Sequence, residues 1–216
     1  MKLDMHLHTQ FSFQGDVDRR PTDSTIRLTE IPEILRQKGL DGAVITDHMT
    51  IEAGNDEFES VKKDNPDIVL LRGMEYGSDM GHLLLYGIDN DDVCREFGAY
   101  GPAQDVINFV QKQGGAVVIP HPYISGYTKI MKDNIFTLQD FFAVETKNGQ
   151  CSDRINDLGE VAALSLGLPQ TGGSDAHHPF HIGQTYTDFI NPVFTISDLV
   201  QELQRGKYVP RIDTNR

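Results

Sequence analysis

Two histidines near the start of the chain, His6 and His8, are the first residues whose type and spacing could do chemistry. Apolar residues (Leu3, Met5 and Leu7) alternate with polar ones over this stretch. Because side chains alternate across the two faces of a strand, this period of two predicts a strand that carries both imidazoles on one face near its end. Neutral imidazole binds metals but also serves in ordinary hydrogen bonds, so the pair alone leaves both roles open.

Further histidines and carboxylates occupy comparable positions along the chain. At or just beyond the carboxyl ends of predicted strands lie His8, His48, Glu75, His121 and Asp175, and beside such ends lie His6, His82 and His177. In α/β barrels that edge collects the active-site loops, so we expect these side chains to meet. Imidazole and carboxylate ligands suit zinc, manganese or iron, and a bridging carboxylate suits a two-metal hydrolytic centre. The alternative is that the histidines reached strand ends by accident.

The elements that must position these residues alternate along the sequence. Strands are predicted over residues 43–45, 68–75, 83–86, 116–120, 141–144 and 168–171. Helices are predicted from an N-cap at Thr29 to Gly39, around 58–63, from 106 to Gly114, around 158–166, and after Thr195, with Asp198 in a capping box. Strand–helix alternation of this kind favours a mainly parallel sheet with helices outside it.

Length and composition narrow the class of protein. A chain of 216 residues is expected to form one domain over residues 1–216. The net charge of −13 argues against an extended nucleic-acid surface, and no apolar run approaches the ~18 residues of a membrane span. Two cysteines without CxxC spacing and an N-terminus without a signal peptide predict a cytoplasmic protein.

Six short motifs occur in the order seen in PHP (polymerase and histidinol phosphatase) domains, and the chain resembles that family. The motifs are His6-Leu-His8-Thr9, Thr46-Asp47-His48, Gly73-Met-Glu75, His82-Leu-Leu, Pro120-His121-Pro122 and Gly173-Ser-Asp175-Ala-His177. The resemblance, closest to the small stand-alone members, implies an α/β fold, a distorted TIM-like (β/α)7 barrel. It also implies hydrolysis of a small soluble phosphomonoester or phosphodiester, with two to three divalent ions (Zn, Mn or Fe).

The resemblance also implies a set of metal ligands. The first ion would be held by His6, His8, Glu75 and Asp175, and the second by Glu75, His82 and His121. The third would use His48 and His177 together with a residue from the loop after His8. Family members commonly have Asp or His five or six residues after that histidine, whereas this chain has Phe13 and Gln14, so Asp16 is the nearest carboxylate.

Roles in catalysis follow as hypotheses from the same clustering. We expect a metal-activated hydroxide to attack phosphorus in line, with Asp175 in the catalytic set and His177 or His48, if not metal-bound, protonating the leaving oxygen. Phosphate contacts are predicted from Arg19, Arg20, Lys147, Asn148 and Arg154. Two other functions stay open, namely an amidohydrolase-type metal hydrolase and a non-catalytic metal-binding or regulatory module.

Overall fold

A nine-stranded mixed sheet dominates the computed structural model, which describes residues 1–13, 22–125 and 129–213. Its strands are β1 (Lys2–Leu7), β2 (Gly42–Ile45), β3 (Val69–Ser78), β4 (Gly81–Tyr86), β5 (Ala116–Ile119), β6 (Ala143–Asn148), β7 (Gln170–Gly173), β8 (Thr185–Phe189) and β9 (Tyr208–Ile212). The spatial order is β7-β6-β5-β4-β3-β2-β1-β8-β9. Strands β1, β2, β3, β5, β6 and β7 share one direction, and β4 runs against them.

Six α-helices lie between or after these strands in the described residues. They are α1 (Ile31–Lys38), α2 (Asn55–Asp64), α3 (Asp92–Phe97), α4 (Ala103–Lys112), α5 (Asp153–Leu166) and α6 (Ile196–Arg205). Gly39 ends α1 with a φ of 66°, as its sequence position predicts. Thr195 and Asp198 form the predicted capping box of α6. The helical segment before α1 starts earlier than predicted, because a 3₁₀ turn (Leu28–Glu30) places Thr29 inside it, so the N-cap assignment of Thr29 is wrong.

The barrel closes where the chain leaving β7 meets β1. The amide of Asp175 donates to the carbonyl of His6 at 2.6 Å, and the amide of His8 donates to the carbonyl of Ala176 at 3.0 Å. A Cβ at Gly173 would lie 2.4 Å from the Cβ of His6, so this close approach requires glycine. Strands β1–β7 therefore form the predicted seven-stranded α/β barrel, and the β8–β9 hairpin extends the sheet beyond β1.

Three apolar clusters hold this architecture. One packs residues of β1–β6, such as Met5 and Leu84, against Leu199 and Leu203 of α6. The second packs α1 and α2 against β1–β3, and the third packs α3, α4 and α5 against β3–β6. Burial of this surface fixes the strands that carry the polar residues of the rim. No helix in the described ranges is both long enough and apolar enough to cross a bilayer.

Two strands run further than the sequence predicts. Strand β3 continues past Glu75 to Ser78, and β6 continues past Glu145 to Asn148. Both carboxylates therefore lie inside strands rather than at their ends. The physical reason for β3 is its hairpin with β4, whose ladder pairs Glu75 with Leu84 and Gly77 with His82. Local propensity carries no sign of this pairing, because it depends on residues further along the chain.

Candidate metal centre

One rim of the barrel collects the predicted side chains from six strands. His6 lies in β1 with His8 just after it, Glu75 lies in β3, and His48 and His121 follow β2 and β5. Asp175 and His177 follow β7, and His82 lies near the start of β4. Because β4 is antiparallel to β3, its beginning reaches the rim where the other strands end. The histidines thus converge although they come from both ends of strands.

The Glu75 carboxylate lies at the middle of this group and is 1% exposed. Five imidazole nitrogens lie within 3.3 Å of its two oxygens. Oε1 is 2.6 Å from Nδ1 of His82 and 3.1 Å from Nε2 of His121. Oε2 is near Nε2 of His6 (3.2 Å), Nε2 of His8 (3.1 Å) and Nδ1 of His48 (3.3 Å). A carboxylate with imidazoles on both oxygens has the arrangement of a bridging ligand.

Asp175 adds a second carboxylate beside His6 and His8. Its Oδ1 lies 3.5 Å from Nε2 of His6 and 3.3 Å from Nε2 of His8. The backbones of Asp175 and His121 have φ values of 52° and 28°, in the left-handed region that non-glycine residues avoid. Such strain persists where surrounding structure holds it, and it occurs here at two residues that face the same group.

Hydrogen bonds from outside the group fix His6 and His8. Glu145 Oε1 lies 3.1 Å from Nδ1 of His6, and Ser12 Oγ lies 3.1 Å from Nδ1 of His8. These contacts leave Nε2 of each ring facing Glu75, as in metal-binding histidines whose other nitrogen donates to a carboxylate or hydroxyl. Asn148 Nδ2 donates to Glu145 (2.9 Å) and to Asp175 (3.2 Å). Glu145 was not among the predicted site residues, although it lies next to a predicted strand end, as Glu75 does.

A third carboxylate, Asp23, faces His48 and His177. Its Oδ2 lies 3.4 Å from Nε2 of His48 and 3.7 Å from Nε2 of His177. Both carboxylate oxygens are buried and have no hydrogen-bond partner among the described residues. Nδ1 of His177 lies 2.9 Å from the carbonyl of Asp175, which leaves Nε2 on the side of Asp23. The predicted Asp16 lies outside the described residues, and no sequence pattern pointed to Asp23, which follows His8 by fifteen positions.

Charge and burial act in opposite directions on the pKa values of this group. Burial disfavours charge on His6, but Glu145, Asp175 and Glu75 raise its pKa well above the ordinary value. Burial is likewise overcome at His8, where hydrogen bonds to Asp175 and Glu75 raise the pKa to about 9. Burial lowers the pKa of His48 to about 3. The imidazoles of His82, His48 and His6 hold the pKa of Glu75 well below its usual range despite burial.

The residues predicted to contact phosphate differ in their position relative to the site. Asn148 lies in the site, whereas the Lys147 ammonium pairs with Glu160 of α5 at 3.2 Å, which directs it away from the rim. Arg154 is exposed on the first turn of α5, and Arg19 and Arg20 lie outside the described residues. Lys129, which the sequence analysis did not select, lines a narrow cavity together with His82 and His121.

The donor set fits divalent cations. Nε2 of His6 lies 3.2 Å from Nε2 of His8, and both nitrogens also face carboxylates. Four groups have ligand atoms within 4.8 Å of one another: His6, His8, Glu75 and Asp175; His48, Glu75 and His82; His8, His48 and His177; and His6, His121 and Glu145. Buried nitrogen and oxygen donors, with no thiolate in these four groups, suit zinc, manganese or iron. In the described part of the chain, the buried oxygens of Asp23 have no hydrogen-bond partner.

Comparison with known proteins follows this geometry. The model of the PHP-associated family matches residues 154–208, which include Asp175 and His177. The uncharacterized protein MJ1587 of Methanocaldococcus jannaschii is 30% identical over 171 residues, covering 79% of this chain and 95% of the relative. The chain belongs to the PHP family.

Solved structures share the fold of this PHP protein. PsfC from Pseudomonas syringae PB-5123 has a TM-score of 0.72 at 17% identity, covering 99% of this chain and 91% of PsfC. A Bifidobacterium adolescentis protein assigned as a metal-dependent phosphoesterase has a TM-score of 0.60 at 20% identity, covering 81% of this chain and 87% of that protein. A Chromobacterium violaceum amidohydrolase with bound sulfate has a TM-score of 0.64 at 17% identity, covering 99% of this chain and 98% of the amidohydrolase. At these identities the likeness establishes the α/β barrel.

Proposed function

We propose that this PHP protein is a metal-dependent phosphoesterase that hydrolyses a small soluble phosphomonoester or phosphodiester. The observation that carries the proposal is the buried Glu75 carboxylate with imidazole nitrogens on both of its oxygens. Carboxylates shared between two cation sites are typical of centres that hydrolyse phosphate esters. The bridging position is filled by glutamate, which favours this class over amidohydrolases that use a bridging lysine.

Divalent cations would be held at two neighbouring sites and a third. The first would use His6, His8, Glu75 and Asp175; the second Glu75, His82 and His121; and the third Asp23, His48 and His177. When bound, such ions lower the pKa of a water molecule and neutralise charge on the phosphoryl oxygens. Glu145 and Ser12 would keep Nε2 of His6 and His8 directed at the ions.

Other groups would handle the substrate. His177 is the most exposed histidine of the third site, at 20% for its side chain, so it is the better placed of His177 and His48 to protonate a leaving oxygen whenever it is not a ligand. Asn148 donates to Asp175 and can keep that carboxylate oriented. Lys129, beside His82 and His121, is our candidate for a phosphate contact in place of Lys147.

The assignments of the relatives support the reaction class. The Bifidobacterium adolescentis structure is assigned as a metal-dependent phosphoesterase and the Chromobacterium violaceum structure as an amidohydrolase, so both names describe hydrolases. A substrate of small size also agrees with the net charge of −13, which disfavours binding of a long nucleic-acid backbone. A cytoplasmic location stays a prediction from the cysteine content.

The test is hydrolysis of p-nitrophenyl phosphate and bis(p-nitrophenyl) phosphate by protein loaded with manganese, zinc or iron. We expect one of the two esters to be hydrolysed, and we expect activity to disappear in the Glu75→Gln variant. Glu202→Gln is the matched control, because Glu202 is equally buried but lies on α6. Bound metal without hydrolysis of either ester would favour a non-catalytic module, and hydrolysis of amide substrates alone would favour an amidohydrolase.

A further inference from the structure

Three neighbouring rings follow the last predicted ligand, and two of them, His178 and Phe180, are exposed. Phe180 is 68% exposed. Its ring is parallel to that of His178 within 3°, with centroids 5.6 Å apart, and its centroid lies 4.1 Å from that of His181. We call His178, Phe180 and His181 the ring cluster. A large aromatic side chain with an open face, flanked by two flat imidazoles, offers a surface on which another ring can stack.

The ring cluster lies on the side of the site where Asp23 and His177 meet. His178 follows His177 directly, and its Nδ1 lies 2.9 Å from Oγ1 of Thr25. The amide of Thr25 in turn donates to the carbonyl of His177 at 2.9 Å, and Thr25 is two residues from Asp23. Phe180 is three residues from His177, so their Cα atoms are at most roughly 11 Å apart. A phosphate at the cation site and a ring on Phe180 are therefore close enough to be reached by one small aromatic phosphate ester.

Among the described residues, the ring of Phe180 takes no part in the packing of the barrel. Phe180 is absent from the three apolar clusters that stabilise the barrel, and its turn is held by backbone bonds such as that from the His181 amide to the His178 carbonyl. Phe194, which is 65% exposed in the segment before α6, provides a comparison. Phe194 lines a cavity with Phe58 and Arg72, whereas Phe180 follows His177, a residue of the candidate centre, by three positions.

We propose that the ring cluster stacks against a flat aromatic ring in the alcohol portion of the substrate, such as a nucleobase or an aryl group. The inference rests on the proposed phosphoesterase function and specifies its substrate class. The ester phosphate would lie at the cation site, and the ring would extend over Phe180. Stacking on aromatic side chains tolerates many rings, because every base has a flat π face, so the cluster selects for an aromatic group rather than for one particular base.

A matched pair of substrates isolates this contact. Adenosine 5′-monophosphate and ribose 5-phosphate carry the same ester and differ in the base. For the wild-type protein we expect a KM about tenfold lower for the nucleotide. Phe180→Ala should raise the KM for the nucleotide about tenfold and leave kcat and the KM for ribose 5-phosphate unchanged. The control is Phe194→Ala, because Phe194 is similarly exposed but lines the cavity with Phe58 and Arg72. This variant should leave the KM values for both esters unchanged.

A second measurement separates this inference from the function on which it rests. Saturation-transfer NMR with adenosine reports contact with the base when no ester is present, and we expect the signal to fall in Phe180→Ala but not in Phe194→Ala. Equal KM values for the two esters in wild type, or an adenosine signal unaffected by Phe180→Ala, would overturn the ring-stacking proposal. Loss of hydrolysis of every phosphate ester would overturn the phosphoesterase proposal, and the adenosine signal would still decide the role of the ring cluster.

Discussion

The two ends of the candidate metal centre are built differently. The strand end consists of His6, His8, Glu75 and Asp175, whose side chains are 0–3% exposed. The loop end consists of Asp23, His48 and His177, whose side chains are 14%, 7% and 20% exposed. Ladder hydrogen bonds of β1, β3 and the β1–β7 junction fix the strand end, whereas loop contacts supply the loop end.

This difference predicts unequal affinity for cations. A site on paired strands needs little ordering when it binds an ion, and its buried charges interact in a low local dielectric. At the loop end, Asp23 is only partly buried and lies near the exposed Thr22 and Thr25. Ser24 and Thr25 hydrogen-bond to the carbonyl of His177. We therefore expect the strand end to keep its ions through dialysis and the loop end to exchange them.

Removing the shared carboxylate should have the largest effect, because Glu75 serves both neighbouring sites. In Glu75→Gln we expect kcat/KM to fall about 10³-fold, since several kcal/mol of charge stabilisation disappear. Metal counting by plasma mass spectrometry should show loss of the ions at the strand end. The Glu202→Gln control should retain its metal. A Glu75→Gln protein with full metal content and activity would contradict the role of Glu75 as a carboxylate shared by two cation sites.

Asp23→Asn should affect the loop end alone. We expect this variant to lose the ion at the loop end and to keep the ions at the strand end. Its kcat/KM should fall about 30-fold, equivalent to ~2 kcal/mol. Asp175→Asn, at the other end, should lose more metal than Asp23→Asn does. Equal metal loss in the two variants, measured after identical dialysis, would show that the two ends bind ions as one unit.

Glu145→Gln tests whether the strand end depends on its supporting hydrogen bonds. The amide keeps the size of the side chain but weakens the contact with Nδ1 of His6. We expect metal affinity to fall about tenfold while the fold is retained, because outer contacts of this kind tune ligand orientation and basicity. Competition with a fluorescent chelator gives the affinity, and circular dichroism gives the melting temperature. Unchanged metal affinity would mean that Glu145 does not support the ligands and contributes only to packing.

Protonation of the strand end should make metal binding depend on pH. His8 must lose a proton to bind an ion, and its pKa in the metal-free protein is raised to about 9. Affinity should therefore rise about tenfold per pH unit between pH 7 and 9 for that proton. The raised pKa stabilises the metal-free fold below about pH 6.5, and this contribution is lost as the pH rises through 9. Calorimetry in two buffers measures the released protons, and urea unfolding measures the stability. Affinity that does not change with pH would contradict this account.

The smallest expected effect is at the rim. Lys129→Ala should raise KM for a phosphate ester about fivefold with kcat unchanged, since an exposed charge contributes ~1 kcal/mol or less. Lys147→Ala is the control, because its ammonium pairs with Glu160 rather than facing the site. Steady-state kinetics of both variants shows which of the two lysines affects the KM for the phosphate ester. A larger KM effect from Lys147→Ala would mean that the lysine on β6 turns toward the substrate.

Local patterns predicted the alternation of strands and helices and the rim position of most of the candidate ligands, whereas the resemblance to PHP domains implied the seven-stranded barrel. Alternation in β1 predicted the shared face of His6 and His8, and strand ends pointed to His48, His121 and Asp175. Glu75 was selected for the right rim although it lies inside β3, because its strand was expected to end there. The direction of Lys147 was not predictable, since a register shift in the β6–β7 ladder separates Glu145 from Lys147.

The sequence by itself determined which residue types face the rim, because strand periodicity is local and the ligand types are chemically distinctive. Only the tertiary structure showed that Asp23 lies beside His48 and His177. Asp23 reaches His48 and His177 from fifteen residues beyond His8, through contacts of Ser24 and Thr25 with a segment more than 150 residues away. The path of a loop depends on such distant partners, and they leave no periodic signal in the sequence.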